Sequence, residues 1–117
     1  MMSNDDCAFH VGDVGVKIGL HFTDCTTGTA TDIDVSSATL EMRIVKPSGT
    51  RVVIDDADID PADFGGATGD GTDGRVMHVV TAGLLDEDGS YQAQGVATIG
   101  AATYHSSVSR FRVAKSL

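Results

Sequence analysis

Val14, Val16, Ile18, Leu20 and Phe22 occupy every second position, with Gly15, Lys17, Gly19 and His21 between them. Successive side chains of a pleated strand point to opposite faces, so residues 14–22 predict a half-buried β-strand. Ile33, Val35 and Ala38 form a shorter apolar element after a polar stretch. The alternation returns in 39–45 (TLEMRIV), where Leu40, Met42 and Ile44 point inward and Glu41 and Arg43 outward. Lys46-Pro47-Ser48-Gly49 then carries Pro at the second and Gly at the fourth position of a β-turn, which predicts a hairpin into 50–54.

Farther along, 75–81 (RVMHVVT) is apolar on both faces: Val76 and Val80 flank His78 on one, and Met77 and Val79 lie on the other. Such a strand is either central in its sheet or covered by a partner, which makes Val76, Met77 and Val79 the candidate protein interface. Leu84 and Leu85, ahead of Asp86-Glu87-Asp88-Gly89, predict a turn with a hydrophobic plug. In 90–99 the inward set is Tyr91, Ala93, Gly95, Ala97 and Ile99, mostly small residues that imply close approach of two sheets. The last run, 103–114, changes parity between Tyr104/Val108 and Phe111/Val113, which predicts a β-bulge near Ser109-Arg110. About seven strands at turn signals of roughly 8 to 12 residues predict an all-β fold, an immunoglobulin-like antiparallel β-sandwich. Helix is expected for no more than a turn or two, around 61–64 or 83–85.

A chain of 117 residues is expected to be one domain, 1–117, with 1–8 a flexible N-terminus. Aromatic residues are 5% and tryptophan is absent, so the core must be aliphatic. The net charge of −9 comes from 17 acids, all aspartates except Glu41 and Glu87. Aspartate favours turns where glutamate favours helices, so this acidity suits a loop-rich β protein. Eight dispersed basic residues do not make the Lys/Arg cluster that phosphates demand, so no nucleic-acid partner is expected. Arg110, Arg112 and Lys115 form a small basic stripe, read as a solvated edge-strand face that discourages aggregation. No apolar stretch approaches the roughly 18 to 20 residues of a membrane helix, and no signal-peptide pattern opens the chain, so a soluble cytoplasmic product is expected. Cys7 and Cys25 lack a CxxC context and are expected to be reduced.

Residues 55–74 (DDADIDPADFGGATGDGTDG) hold seven aspartates and no basic residue, and read as one long acidic loop. Hard calcium ions favour such oxygen-rich, glycine-punctuated segments. Asp56, Asp58 and Asp60 have the opening spacing of an EF-hand, but Pro61 stands where the sharp-turn glycine belongs and Ala67 where the bidentate glutamate belongs. The loop is therefore read as solvated or partner-facing, with a calcium-dependent ligand-binding module as the alternative. Ser90, Ser106, Ser107 and Ser109 lack a nucleophile elbow, and His10, His21, His78 and His105 are dispersed over different segments. The glycines of 65–74 lack the Lys-Ser/Thr of a phosphate loop, and six aromatics are few for a sugar platform. No catalytic, cofactor-binding or metal-binding residue is nominated, no cofactor is expected, and the chain is not expected to be an enzyme.

The order of DVGVKIGLHFTD, DIDVSSATLEMRIVKPSGT, GRVMHVVTAGLLDEDGSYQAQ and SSVSRFRV resembles the N-terminal domain of the baseplate upper proteins of tailed bacteriophages, from Asp13 to Val113. The tokens carrying the resemblance are the strand ending in Lys-Pro-x-Gly, the Gly-x-Val strand and the Gly-x-Tyr strand. The family domain heads a longer protein whose later segments trimerise and hold receptor-binding proteins, whereas this sequence stops at Leu117, and its 55–74 segment is longer and more acidic. The resemblance implies a virion structural protein assembled in the host cytoplasm, with other phage virion proteins as partners and a homotrimer as the analogous oligomer. A tail or baseplate attachment role is the leading expectation, with capsid decoration the alternative.

Overall fold

Eleven short strands carry almost all of the regular structure in residues 8–117, the part of the chain that the computed structural model describes. The expectation for 1–8 therefore falls, Ala8 apart, outside the described residues, as does Cys7. The longest strand, β9 (Gly89–Ile99), is flanked on one edge by β5 (Thr39–Val45), which in turn pairs with β6 (Arg51–Ile54). Its other edge is shared end to end by β10 (Ala102–His105) and β11 (Ser109–Ala114). These pairings are antiparallel, and β1 (Phe9–His10) closes the sheet with a short parallel ladder on β11. The six-stranded sheet thus runs β1-β11-β9-β5-β6, with β10 beside β9.

A second antiparallel sheet, in the order β2-β8-β7, consists of β2 (Lys17–His21), β8 (Arg75–Val79) and β7 (Asp60–Pro61). The two-residue strands β3 (Thr23–Asp24) and β4 (Thr31–Asp32) form a hairpin that continues β2. The two sheets face each other across one hydrophobic core. It is aliphatic for the most part, but its largest fully buried side chains are Tyr91 and Phe22, which the sequence expectation of a purely aliphatic core leaves out. Ile18, Leu20, Phe22, Val76 and Val80 come from one side, and Met42, Ile44, Tyr91, Ala93, Ala97 and Val113 from the other. Leu84 and Leu85 seal one end, as the predicted plug requires. The chain is an all-β sandwich of antiparallel sheets.

The small residues of β9 set the sheet separation. A Cβ on Gly95 would lie 2.6 Å from Phe22 Cζ and 3.2 Å from Leu20 Cδ1, so the ring of Phe22 occupies the space a side chain would take. At the other end of β9, the buried Tyr91 stacks on Phe111, which meets Phe9 edge-on. Its hydroxyl accepts the Glu87 N–H at 3.1 Å and donates to the Leu84 carbonyl at 3.5 Å. These bonds tie the 84–88 turn to the strand that follows it.

Several boundaries differ from the alternation pattern. The strand expected over 14–22 begins at Lys17, and Val14 is 61% exposed. Ile33 and Val35 are buried but lie just beyond β4 rather than in a strand. The run 103–114 is not one bulged strand: it breaks at 106–108, so Tyr104 packs against the core while Val108 is exposed. The segment 55–74 is not one loop either. It contains a single 3-10 turn (Asp56–Asp58), placed before the 61–64 site expected for helix, and then β7, which pairs with β8 through Asp60 and Pro61.

Candidate functional site

The nominated interface fails on burial. Val76 is 2% exposed because it faces the inter-sheet core, and Met77 is 7% exposed on the opposite side of the same strand. Met77 pairs with Gly19 of β2, and the ring of Phe64 lies directly over that glycine, 2.9 Å from where its Cβ would stand. Lys17 holds this strap in place: its Nζ is 2.8 Å from Asp63 Oδ1 and 5.7 Å from the Phe64 ring centroid. The partner that covers β8 is thus the chain's own 60–65 segment. Only Val79, 37% exposed, remains at the surface.

Four of the seven aspartates of 55–74, Asp56, Asp63, Asp70 and Asp73, are occupied with bonds inside the fold. Asp56 Oδ1 accepts the Leu40 N–H at 2.7 Å. Asp70 accepts the hydroxyls of Thr72 and Thr68, each at 2.7 Å, and the Thr72 N–H at 3.0 Å, which together hold its carboxyl at about 2. Asp73 caps Thr68 and Arg75 through their backbone N–H groups. Among the described residues no three His, Cys, Asp or Glu side chains converge as metal ligands. No helix among them is long and apolar enough to cross a membrane.

Of the candidate serines and histidines, Ser106, His78 and His21 are likewise committed to structure. Ser106 Oγ accepts the Gly95 N–H at 2.8 Å and donates to the Ser107 carbonyl at 3.0 Å. His78 is buried with Nδ1 2.9 Å from the Asp58 carbonyl, so it clips the 3-10 turn to β8, and its Nε2 has no partner. His21 Nε2 sits 2.8 Å from Asp32 Oδ1 and 3.1 Å from the Asp73 carbonyl. A cleft of about 630 Å3 opens beside it, between Phe64, Arg75 and the 107–109 segment, with the Arg75 guanidinium turned to Asp73 and the Gly65 carbonyl. Cys25 is an exposed free thiol.

The arrangement with most functional content is the outer face of the six-stranded sheet. Strand pairing puts Arg51, Val45, Gln92 and Arg110 in one row across β6, β5, β9 and β11. The next row holds Val53, Arg43 and Gln94. Residues paired directly across strands share a face, so these side chains form one surface, with Arg112 beside Ser90 at its end. Val53 and Val108 are 48% and 46% exposed, and a shallow groove of about 140 Å3 runs between Arg43, Arg51, Gln92, Gln94 and Val108. Four of the five arginines lie in the strands of this sheet, against one acid, Glu41, which pairs with Arg43 Nε at 2.6 Å. Among the described residues β1 pairs with β11 at Val113 and Ala114, beyond Arg110 and Arg112, whose side chains lie on the outer face of the sheet. Aliphatic and amide groups ringed by arginine are the composition of a protein interface, where arginine is enriched.

No family model, no characterised protein and no solved structure matches the chain.

Proposed function

We propose that this chain is a non-enzymatic assembly module of a tailed-bacteriophage virion, an immunoglobulin-like sandwich that docks on tail or baseplate proteins through the outer face of its six-stranded sheet. The carrying observation is that face, with its four arginines and exposed valines on a molecule of net charge −9. The immunoglobulin-like reading is supported by strand order. With β2, β5, β6, β7, β8, β9 and β11 taken as B, C, C′, D, E, F and G, the sheets read B-E-D and G-F-C-C′, the variable-type order. The Tyr91 hydroxyl, bonded back to the turn before β9, has the form of a tyrosine corner at the E–F connection. The sequence resemblance to baseplate upper proteins adds the virion setting.

The test is incorporation. Washed particles of the encoding phage are expected to contain the chain, and Arg51→Glu/Arg110→Glu is expected to reduce its copy number while the folded protein still accumulates in the host. Absence of the wild-type chain from particles overturns the proposal. Localisation to capsids rather than tails would replace attachment by decoration.

A further inference from the structure

We infer that the protein docked on the arginine face is a second copy of this chain, seated through its acidic 55–60 segment in a head-to-tail contact; this names the partner of the docking face proposed above and rests on that reading. The charge is divided unevenly over the molecule. Four arginines and Glu41 give the strands of the large sheet a formal +3, which leaves a formal −12 for the rest of a chain whose total is −9. Arg51 and Arg110, at the two ends of one row, have no ion-pair partner among the described residues. Asp55, Asp58 and Asp60 are exposed and equally without one. Arg51 and Arg110 on one side, and Asp55, Asp58 and Asp60 on the other, are thus complementary groups left without an ion-pair partner among the described residues.

The sign of the charge also excludes pairing of the arginine face with itself. Pairing the sheet face with itself across a twofold axis would set Arg51 and Arg110 against the same arginines around desolvated valines, and like charges juxtaposed in an interface are strongly unfavourable. A heterologous contact instead puts arginine against aspartate in every interface. Such contacts close into rings when the rotation per copy permits and otherwise run on as filaments. The acidic segment suits this role because it is held rigidly, by Asp56 on the Leu40 N–H and by His78 on the Asp58 carbonyl, so little entropy is lost when it docks.

The experiment is sedimentation of the full chain across a roughly hundredfold concentration range at ~50 mM and ~500 mM salt, where screening differs severalfold in length. The wild type is expected to self-associate, at least about tenfold more weakly at the higher salt. Arg51→Glu/Arg110→Glu alone and Asp55→Lys/Asp58→Lys/Asp60→Lys alone are each expected to be monomeric. Mixed in equal amounts they are expected to associate, because both contacts in an alternating array are then complementary. If Arg51→Glu/Arg110→Glu fails to fold, Arg51→Gln/Arg110→Gln takes its place and is expected to be monomeric. A monomeric wild type at low salt, association untouched by the arginine variants, or absence of rescue on mixing overturns the inference. The docking proposal is judged separately: if the wild type is monomeric yet the arginine variants are lost from particles, docking stands with another virion protein on the face and only the head-to-tail contact is wrong.

Discussion

Ser106 Oγ accepts the Gly95 N–H at 2.8 Å, and the Ser106 N–H donates to the Gly95 carbonyl at 3.0 Å. The serine thereby satisfies β9 at the point where β10 has ended and β11 has not begun. Its hydroxyl stands in for the carbonyl that a continuous partner strand would offer. Both groups are buried, so a lost acceptor cannot be replaced by water without opening the sheet. Ser106→Ala is expected to cost about 1–3 kcal/mol, the penalty of one unsatisfied buried donor. Chemical denaturation measures the loss, and faster amide exchange at Gly95 locates it; unchanged exchange at Gly95 would contradict the assignment.

Gly95 has a second constraint on its other side, the ring of Phe22. Because the glycine has ordinary extended backbone, the contact alone decides the outcome of substitution. Phe22 is fully buried and cannot swing away, so Gly95→Ala is expected to destabilise by about 1–3 kcal/mol through overpacking. In the double variant Gly95→Ala/Phe22→Leu the two effects should not add, since the smaller side chain vacates the space the methyl needs. Additive losses would show that the ring is not what excludes a side chain there.

How much of this was legible in the chain follows from the range of each signal. Period-two alternation is local, so Met42, Ile44, Ala93 and Ala97 could be placed in the core directly, and the turn at Lys46–Gly49 could be located from Pro47 and Gly49. The same signal reports burial but not what does the burying. The pattern alone assigns Val76 and Met77 to a partner-facing surface, whereas the opposite sheet covers one and the Phe64 strap lies over the cross-strand glycine of the other. A two-residue strand such as Asp60–Pro61 has no period to detect, so the pattern does not separate it from the loop around it. The arginine face was invisible for a different reason. Arg51, Val45, Gln92 and Arg110 become neighbours only through the register of four strands, and register is a long-range property that no single segment carries.

Asp70 makes an acid prediction with a defined window. Hydrogen bonds from the Thr72 and Thr68 hydroxyls and the Thr72 N–H favour its charged form and lower its titration from the ordinary 3.8 to about 2. A carboxylate whose folded value is depressed contributes stability that is fully present above the unfolded value and is lost as the pH falls through the folded one. Asp70→Asn is therefore expected to lower the melting temperature slightly at neutral pH, with the difference from wild type shrinking between pH 3.8 and about 2. Carboxyl NMR titration of Asp70 checks the value directly, and a midpoint at the ordinary position would remove the threonine cage as its cause.

Tyr91 makes the corresponding alkaline prediction. Burial raises its hydroxyl above the ordinary 10.0, with Asp86 and Glu87 acting in the same direction and the Glu87 N–H and Lys46 opposing. Here the folded protein holds its proton more tightly than the unfolded chain, so the contribution is complete below pH 10.0 and declines as the pH rises from there through the folded value. Tyr91→Phe keeps the stack on Phe111 but removes the acceptor for the Glu87 N–H and the donor to the Leu84 carbonyl, at a cost of about 1 kcal/mol near neutrality. That gap is expected to narrow above pH 10.0, because only the wild type then loses the tyrosine contribution. A residual decline should persist in both proteins, since Lys46 is also raised, mainly by its 2.7 Å bond to Asp86, and it titrates the same way above 10.5. Denaturation midpoints from pH 8 to 11, taken at roughly half-unit steps, separate the two groups. A gap that stays constant across the range would mean that the Tyr91 hydroxyl is no better shielded in the folded state than in the unfolded one.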